Sequence, residues 1–148
     1  MEMLDSILFV DDDPVVNYYN VSIAKRLNIA REIFVQTDGQ SAIDFIKERY
    51  YNNQSLPSAI FLDWYMPGTG GSDFLREINE LELLGVKKIP ITIVTSFSAP
   101  HELLGLASKG YQFLNKPLTN NKLQKVWQNI CNGENLFQRL MGGKNAES

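Results

Sequence analysis

Five residues of this chain have side chains suited to chemistry on a charged group, and each closes a short apolar run. Asp11 and Asp12 follow Ile7-Leu8-Phe9-Val10, Asp63 follows Ala59-Ile60-Phe61-Leu62, Thr95 follows Ile91 to Val94, and Lys116 comes just after Tyr111 to Leu114. A carboxylate at the carboxyl end of a buried strand stands where open α/β sheets hold their ligands. Carboxylates sharing one crevice raise one another's pKa unless a cation compensates them. Lys116 supplies one positive charge, and a hard divalent cation would supply the rest. Ligation by carboxylate, water and a substrate phosphate is the set Mg²⁺ prefers, and Mn²⁺ takes similar oxygen donors. Thr95 adds a hydroxyl suited to a phosphoryl oxygen.

The elements that must position these residues follow from the apolar pattern. The runs at 7–10, 33–35, 59–62, 91–94 and 111–114 are continuous and rich in β-branched and aromatic residues. Such runs read as strands of a parallel sheet buried on both faces. Helical patterns alternate with them. Asp13-Pro14 opens the first, with Asp13 expected to cap it rather than bind metal, and Val15, Val16, Tyr19, Ile23 and Leu27 form its expected apolar stripe. Asp38-Gly39 precedes a second helix carrying Ala42, Ile43, Ile46 and Tyr50. The third follows Gly70-Gly71-Ser72 and carries Phe74, Leu75, Ile78 and Leu81, ending before Gly85. A short fourth is expected near Pro100 to Ser108. The fifth starts near Thr119 or Asn120 and carries Leu123, Val126, Trp127 and Ile130. Strand then helix, five times over, gives a doubly wound sheet with helices on both faces, because parallel crossovers are right-handed.

A chain of 148 residues has room for one domain, expected over residues 1–132. Residues 133–148 read as an extension whose Leu136, Phe137, Leu140 and Met141 pack on that domain, followed by a polar tail. That stretch is too short for a DNA-binding output module. A net charge of −3 leaves no basic footprint for nucleic acid or an anionic membrane. The single Cys131 suits a reducing compartment, no apolar stretch approaches a membrane span, and the first residues are too few and too acidic for a signal peptide. A cytoplasmic protein is expected. His101, the only histidine, is expected at the surface, and Ser72, Ser96 and Ser98 have no histidine base beside them.

Four motifs together carry a resemblance: Val10-Asp11-Asp12-Asp13-Pro14, Leu62-Asp63-Trp64-Tyr65-Met66-Pro67-Gly68, Val94-Thr95-Ser96 and Asn115-Lys116-Pro117. In this order, each at the end of a buried strand, they make the chain resemble a stand-alone receiver domain of two-component response regulators from about Ile7 to Ile130. The resemblance implies a flavodoxin-like (βα)5 fold with strand order 2-1-3-4-5. It implies that Asp63 accepts a phosphoryl group from a phosphohistidine of a sensor histidine kinase. Asp12 would ligate Mg²⁺ directly, Asp11 through water, and the backbone carbonyl of Tyr65 would be a further ligand. Thr95 and Lys116 would bind phosphoryl oxygens, and Lys116-Pro117 would be a cis peptide. The family's switch pairs the threonine with an aromatic at Phe113, where many relatives have tyrosine, so a steric rotamer shift must serve here. Tyr65 and Phe97 occupy the two positions that tune acyl-phosphate lifetime, and two large rings there are expected to slow hydrolysis. Output would run through protein contacts, to a histidine phosphotransfer protein or another target, at the face of the fourth helix, fifth strand and fifth helix.

Two other functions share parts of this pattern. A haloacid dehalogenase-type phosphatase would use Asp11 as nucleophile and Asp13 as general acid, but Pro14-Val15 follows where glycine and threonine are expected. A flavodoxin-like cofactor carrier needs small hydroxyl and glycine residues after the first strand, and Asp11-Asp12-Asp13 would repel its phosphate.

Overall fold

The computed structural model describes residues 2–96, 105–106 and 109–132. In chain order the elements are β1 (Leu4–Val10), α1 (Pro14–Leu27), β2 (Ala30–Gln36), α2 (Gly39–Tyr51), β3 (Ala59–Asp63), α3 (Gly71–Leu83), β4 (Ile91–Thr95), β5 (Gln112–Asn115) and α4 (Asn120–Cys131). All strand pairs are parallel, in the order β2-β1-β3-β4-β5. The order reverses between β1 and β3, and that reversal opens a crevice at their carboxyl ends.

Apolar side chains cover both sides of the three inner strands. Leu8, Val10, Ile60, Leu62 and Ile93 pack with α2 and α3 residues such as Ile46, Phe74 and Ile78, while Ile7, Phe9 and Phe61 pack with Ile23, Leu123 and Val126. Successive strand residues thus serve opposite layers, which is why the runs are continuously apolar rather than alternating. β3 and β4 are buried throughout and β1 from Ser6 onward, whereas β2 and β5 lie at the sheet edges and are at most half-buried, a departure from the expected burial on both faces.

Local chemistry sets the helix starts. Asp13 caps α1 by accepting from the Val15 amide at 2.9 Å, with Pro14 in the first turn. Asp38 caps α2, accepting from the Ser41 amide at 2.7 Å, and that bond leads the effects that hold its carboxyl below the usual range. Thr119 caps α4, accepting from the Lys122 amide at 3.2 Å.

Two further expectations shift, and a third falls mostly outside the described residues. The inward face of α1 is built from Asn17, Asn20, Ile23 and Ala24, while Val15 and Tyr19 point outward at 72% and 47% exposure. The helix is turned so that Asn17 reaches the backbone beneath the acids. Tyr111 stands one residue before β5, because the ladder to β4 opens at Gln112 opposite Thr92. The expected fourth helix near 100–108 is described only at residues 105 and 106, which are helical. Phe97, His101, Ser98 and the extension 133–148 lie outside the described residues.

Candidate functional site

The carboxyl ends of β1, β3, β4 and β5 bring together the predicted residues. Asp63 is the last residue of β3 and Thr95 the last of β4, both buried; Asp11 follows β1 directly and is buried, Asp12 beside it is exposed, and Lys116 follows β5. One carboxylate oxygen from each of Asp11, Asp12 and Asp63 lies within 4.8 Å of the others. Lys116 Nζ stands 2.8 Å from Asp11 Oδ2 and 3.5 Å from Asp63 Oδ2.

Burial pushes the Asp63 carboxyl up to about 6 from 3.8, the Asp11 charge adds to it, and the Lys116 charge opposes. On Lys116 burial works downward, but its bond to Asp11 and the neighbouring carboxylates prevail and raise it. Asp63 is therefore harder to ionise than an ordinary aspartate, and a cation at the cluster would favour its ionised form.

Asp11 is held from four directions. Its amide donates to Gln36 O at 3.2 Å, its carbonyl accepts from Asn17 Nδ2 at 2.8 Å, Oδ1 accepts from the Asp13 amide at 2.9 Å, and Oδ2 faces Lys116. Asp12 is exposed and projects from a loop that Asp11 and Asp13 fix, so its oxygens are the ones a cation reaches from solvent. The three acids fit a hard divalent cation: their oxygens converge, and the buried Asp63 resists ionisation without one.

After Asp63 the chain turns beneath Trp64, whose buried ring lies flat on Gly71; an added Cβ there would come within 2.9 Å of Trp64 Cδ2. Gly71 N donates to Trp64 O at 3.1 Å, closing the loop that contains Tyr65. Tyr65 is 45% exposed at the crevice loop. Phe113 is half-buried in β5 and packs against the layer of α2 and α3, and Lys116-Pro117 is a cis peptide. Two contributors have no signature among the motifs. Asn17 supports the Asp11 carbonyl, and Lys122 Nζ donates to the carbonyls of Asn115 at 2.8 Å and Pro117 at 3.1 Å. An asparagine pair at i, i+3 on α1 was the available clue to the first.

A doubly wound parallel sheet with an acid cluster and a lysine at its topological switch point defines a class of ligand-binding α/β domains. Within it, the chain belongs to the response regulator receiver domain family, whose model matches residues 7–128. Among solved structures, it is similar to a two-component response regulator from Cytophaga hutchinsonii, with 28% identity, a TM-score of 0.78, and coverage of 88% of this chain and 99% of that one. The fold also matches the receiver domain of the histidine kinase CKI1 from Arabidopsis thaliana complexed with Mg²⁺, with 24% identity, a TM-score of 0.73, and coverage of 85% and 91%. A probable methanogenesis regulatory protein, FilR2, from Methanothrix harundinacea is 26% identical over 125 residues, 84% of this chain and 79% of its own length. Among the described residues no helix is long and apolar enough to cross a membrane.

Proposed function

We propose that this chain is a phosphorylation switch in a two-component system, with Asp63 as the residue that accepts a phosphoryl group from a sensor histidine kinase in the cytoplasm. The observation that carries the reading is the convergence of Asp11, Asp12 and Asp63 around Lys116 at the strand ends of a receiver fold. Asp11, Asp12 and Asp63, with the Tyr65 carbonyl, would hold Mg²⁺ or Mn²⁺. Such an ion neutralises phosphoryl oxygens and fixes their geometry when bound.

The chain's own residues do the rest. An ionised Asp63 oxygen attacks phosphorus, the P–N bond to the donor imidazole breaks, and the imidazole leaves with the bonding electron pair and takes up a proton. Lys116 offers its ammonium to a phosphoryl oxygen, and the Thr95 hydroxyl offers a hydrogen bond to another. With Thr95 drawn toward the new group, Phe113 follows into the space it leaves, and the surface around β5 and α4 changes for a partner. That partner is a histidine phosphotransfer protein or another target.

The phosphatase alternative has less to stand on. Asp11 is tied through Oδ1 to the Asp13 amide and through Oδ2 to Lys116, and Asp13 is exposed and caps α1. Incubation with phosphoramidate and Mg²⁺, followed by mass analysis, tests the proposal: label abolished by Asp63→Asn and retained by Asp11→Asn supports it, and the reverse pattern overturns it.

A further inference from the structure

We infer that Lys122 is a positioning residue for Lys116, acting through the backbone on either side of it; this rests on the phosphoacceptor reading above. Lys122 occupies the third position of α4, one turn from the cap at Thr119. That is the wrong place for a cation, because the positive end of the helix dipole favours acids in the first turn. It is also where a glutamate would complete a capping box with Thr119. The first turn of α4 has no acid, and Lys122 is half-buried.

What the ammonium does there is specific. It bonds the carbonyl of Asn115 at 2.8 Å and that of Pro117 at 3.1 Å, the residues immediately before and after Lys116. On the other side, the Lys116 amide donates to Thr95 O at 2.8 Å. The backbone that presents Lys116 is thus gripped by β4 on one side and by Lys122 on the other. The Lys116 stem has several rotatable bonds, so the placement of this backbone helps set how its ammonium meets Asp11 and Asp63. An acid at 122 would satisfy the helix and repel both carbonyls. The residue present favours the loop over the helix.

The test compares Lys122→Ala, Lys122→Glu and Lys122→Arg in the full chain. Phosphoramidate labelling of Asp63 is expected to slow roughly tenfold in the alanine and glutamate variants, the scale of one lost charge-assisted hydrogen bond. Arginine should restore it to within about threefold, and the glutamate variant should melt no lower than wild type. Lys122→Ala added to Lys116→Ala should slow labelling no further, since the two act in series. A loss of equal size in both backgrounds overturns the inference. So does a slow glutamate variant whose melting temperature has dropped in step. Hydrogen exchange of the Lys116 amide provides a readout independent of labelling. If wild type is not labelled at Asp63, the function falls, whereas unchanged amide exchange in Lys122→Ala removes the positioning role itself.

Discussion

The ammonium of Lys116 stands 3.5 Å from Asp63 Oδ2, a looser contact than its 2.8 Å approach to Asp11. Asp63 is therefore the less compensated acid of the pair, in keeping with its raised pKa of about 6. Its folded value lies above its unfolded one, so it favours the folded state fully below pH 3.8 and loses that contribution as pH rises through about 6. Asp63→Asn removes the cost of the buried charge and should stabilise the metal-free protein at pH 7.5 by roughly 1–3 kcal/mol. Urea unfolding at pH 7.5 and pH 3.5 checks this, because the advantage should vanish at the lower pH.

A divalent cation held by the proposed cluster would compete with a proton for Asp63 wherever the pH lies near or below about 6. Mg²⁺ affinity should fall as pH drops through about 6, approaching roughly tenfold per unit below it. Calorimetry in two buffers of different ionisation enthalpy should register proton release at pH 5.5 and almost none at pH 8. Release that does not depend on pH would exclude Asp63 as the titrating ligand.

Asn17 replaces the solvent that the Asp11 carbonyl gave up on burial. Asn17→Ala leaves that carbonyl unpaired beneath the acids and should cost roughly 1–3 kcal/mol. The loop bearing Asp12 loosens with it, so Mg²⁺ affinity should drop alongside the denaturation midpoint. An alanine variant with an unchanged midpoint would show that the bond has no energetic weight.

Gly71 has no room for a methyl group beneath the Trp64 ring. Gly71→Ala should push the ring off its seat at a cost of about 1–3 kcal/mol, and Gly70→Ala, whose nearest neighbours stand at 3.5 and 3.6 Å, should cost less. Near-ultraviolet circular dichroism of Trp64 follows the displacement directly. Trp127 lies in the opposite layer and provides the unchanged background.

Tyr65 stands two residues after Asp63 and is 45% exposed, a position suited to obstructing a water on line with a phosphorylated Asp63. Tyr65→Ala should shorten the lifetime of the acyl phosphate severalfold, and Phe97→Ala should add to it. Decay of the labelled protein, followed by intact mass at fixed pH, measures both. Identical decay in wild type and the double variant would remove shielding as the cause.

The strand ends were legible in the sequence because inner parallel strands are covered on both sides, so their runs stop abruptly where the sheet meets solvent. Asp63 and Thr95 mark two such stops and end β3 and β4 as expected. The phase of α1 was harder to read. Val15 and Tyr19 are apolar and spaced like a core stripe, yet Asn17 and Asn20 take the inward face, where Asn17 supplies the donor that the Asp11 carbonyl needs. Side chains that bond backbone carbonyls, as Lys122 does, leave no partner residue type in the sequence to betray them. The edge strands were overread for a simpler reason: Ile33 and Phe113 are as apolar as inner-strand residues but have a neighbour strand on one side only.

The acids of the site and its lysine come from opposite parts of the chain. A growing polypeptide presents Asp11, Asp12 and Asp63 before it presents Lys116. A sheet without β5 would leave β4 as an open edge and the three acids without the ammonium of Lys116. β5 covers the free side of β4 and carries Lys116 to the acids, itself becoming the outer edge of the sheet. The strand that covers β4 is thus also the one that brings the site its countercharge, so pairing at this edge and charge balance in the crevice depend on the same segment.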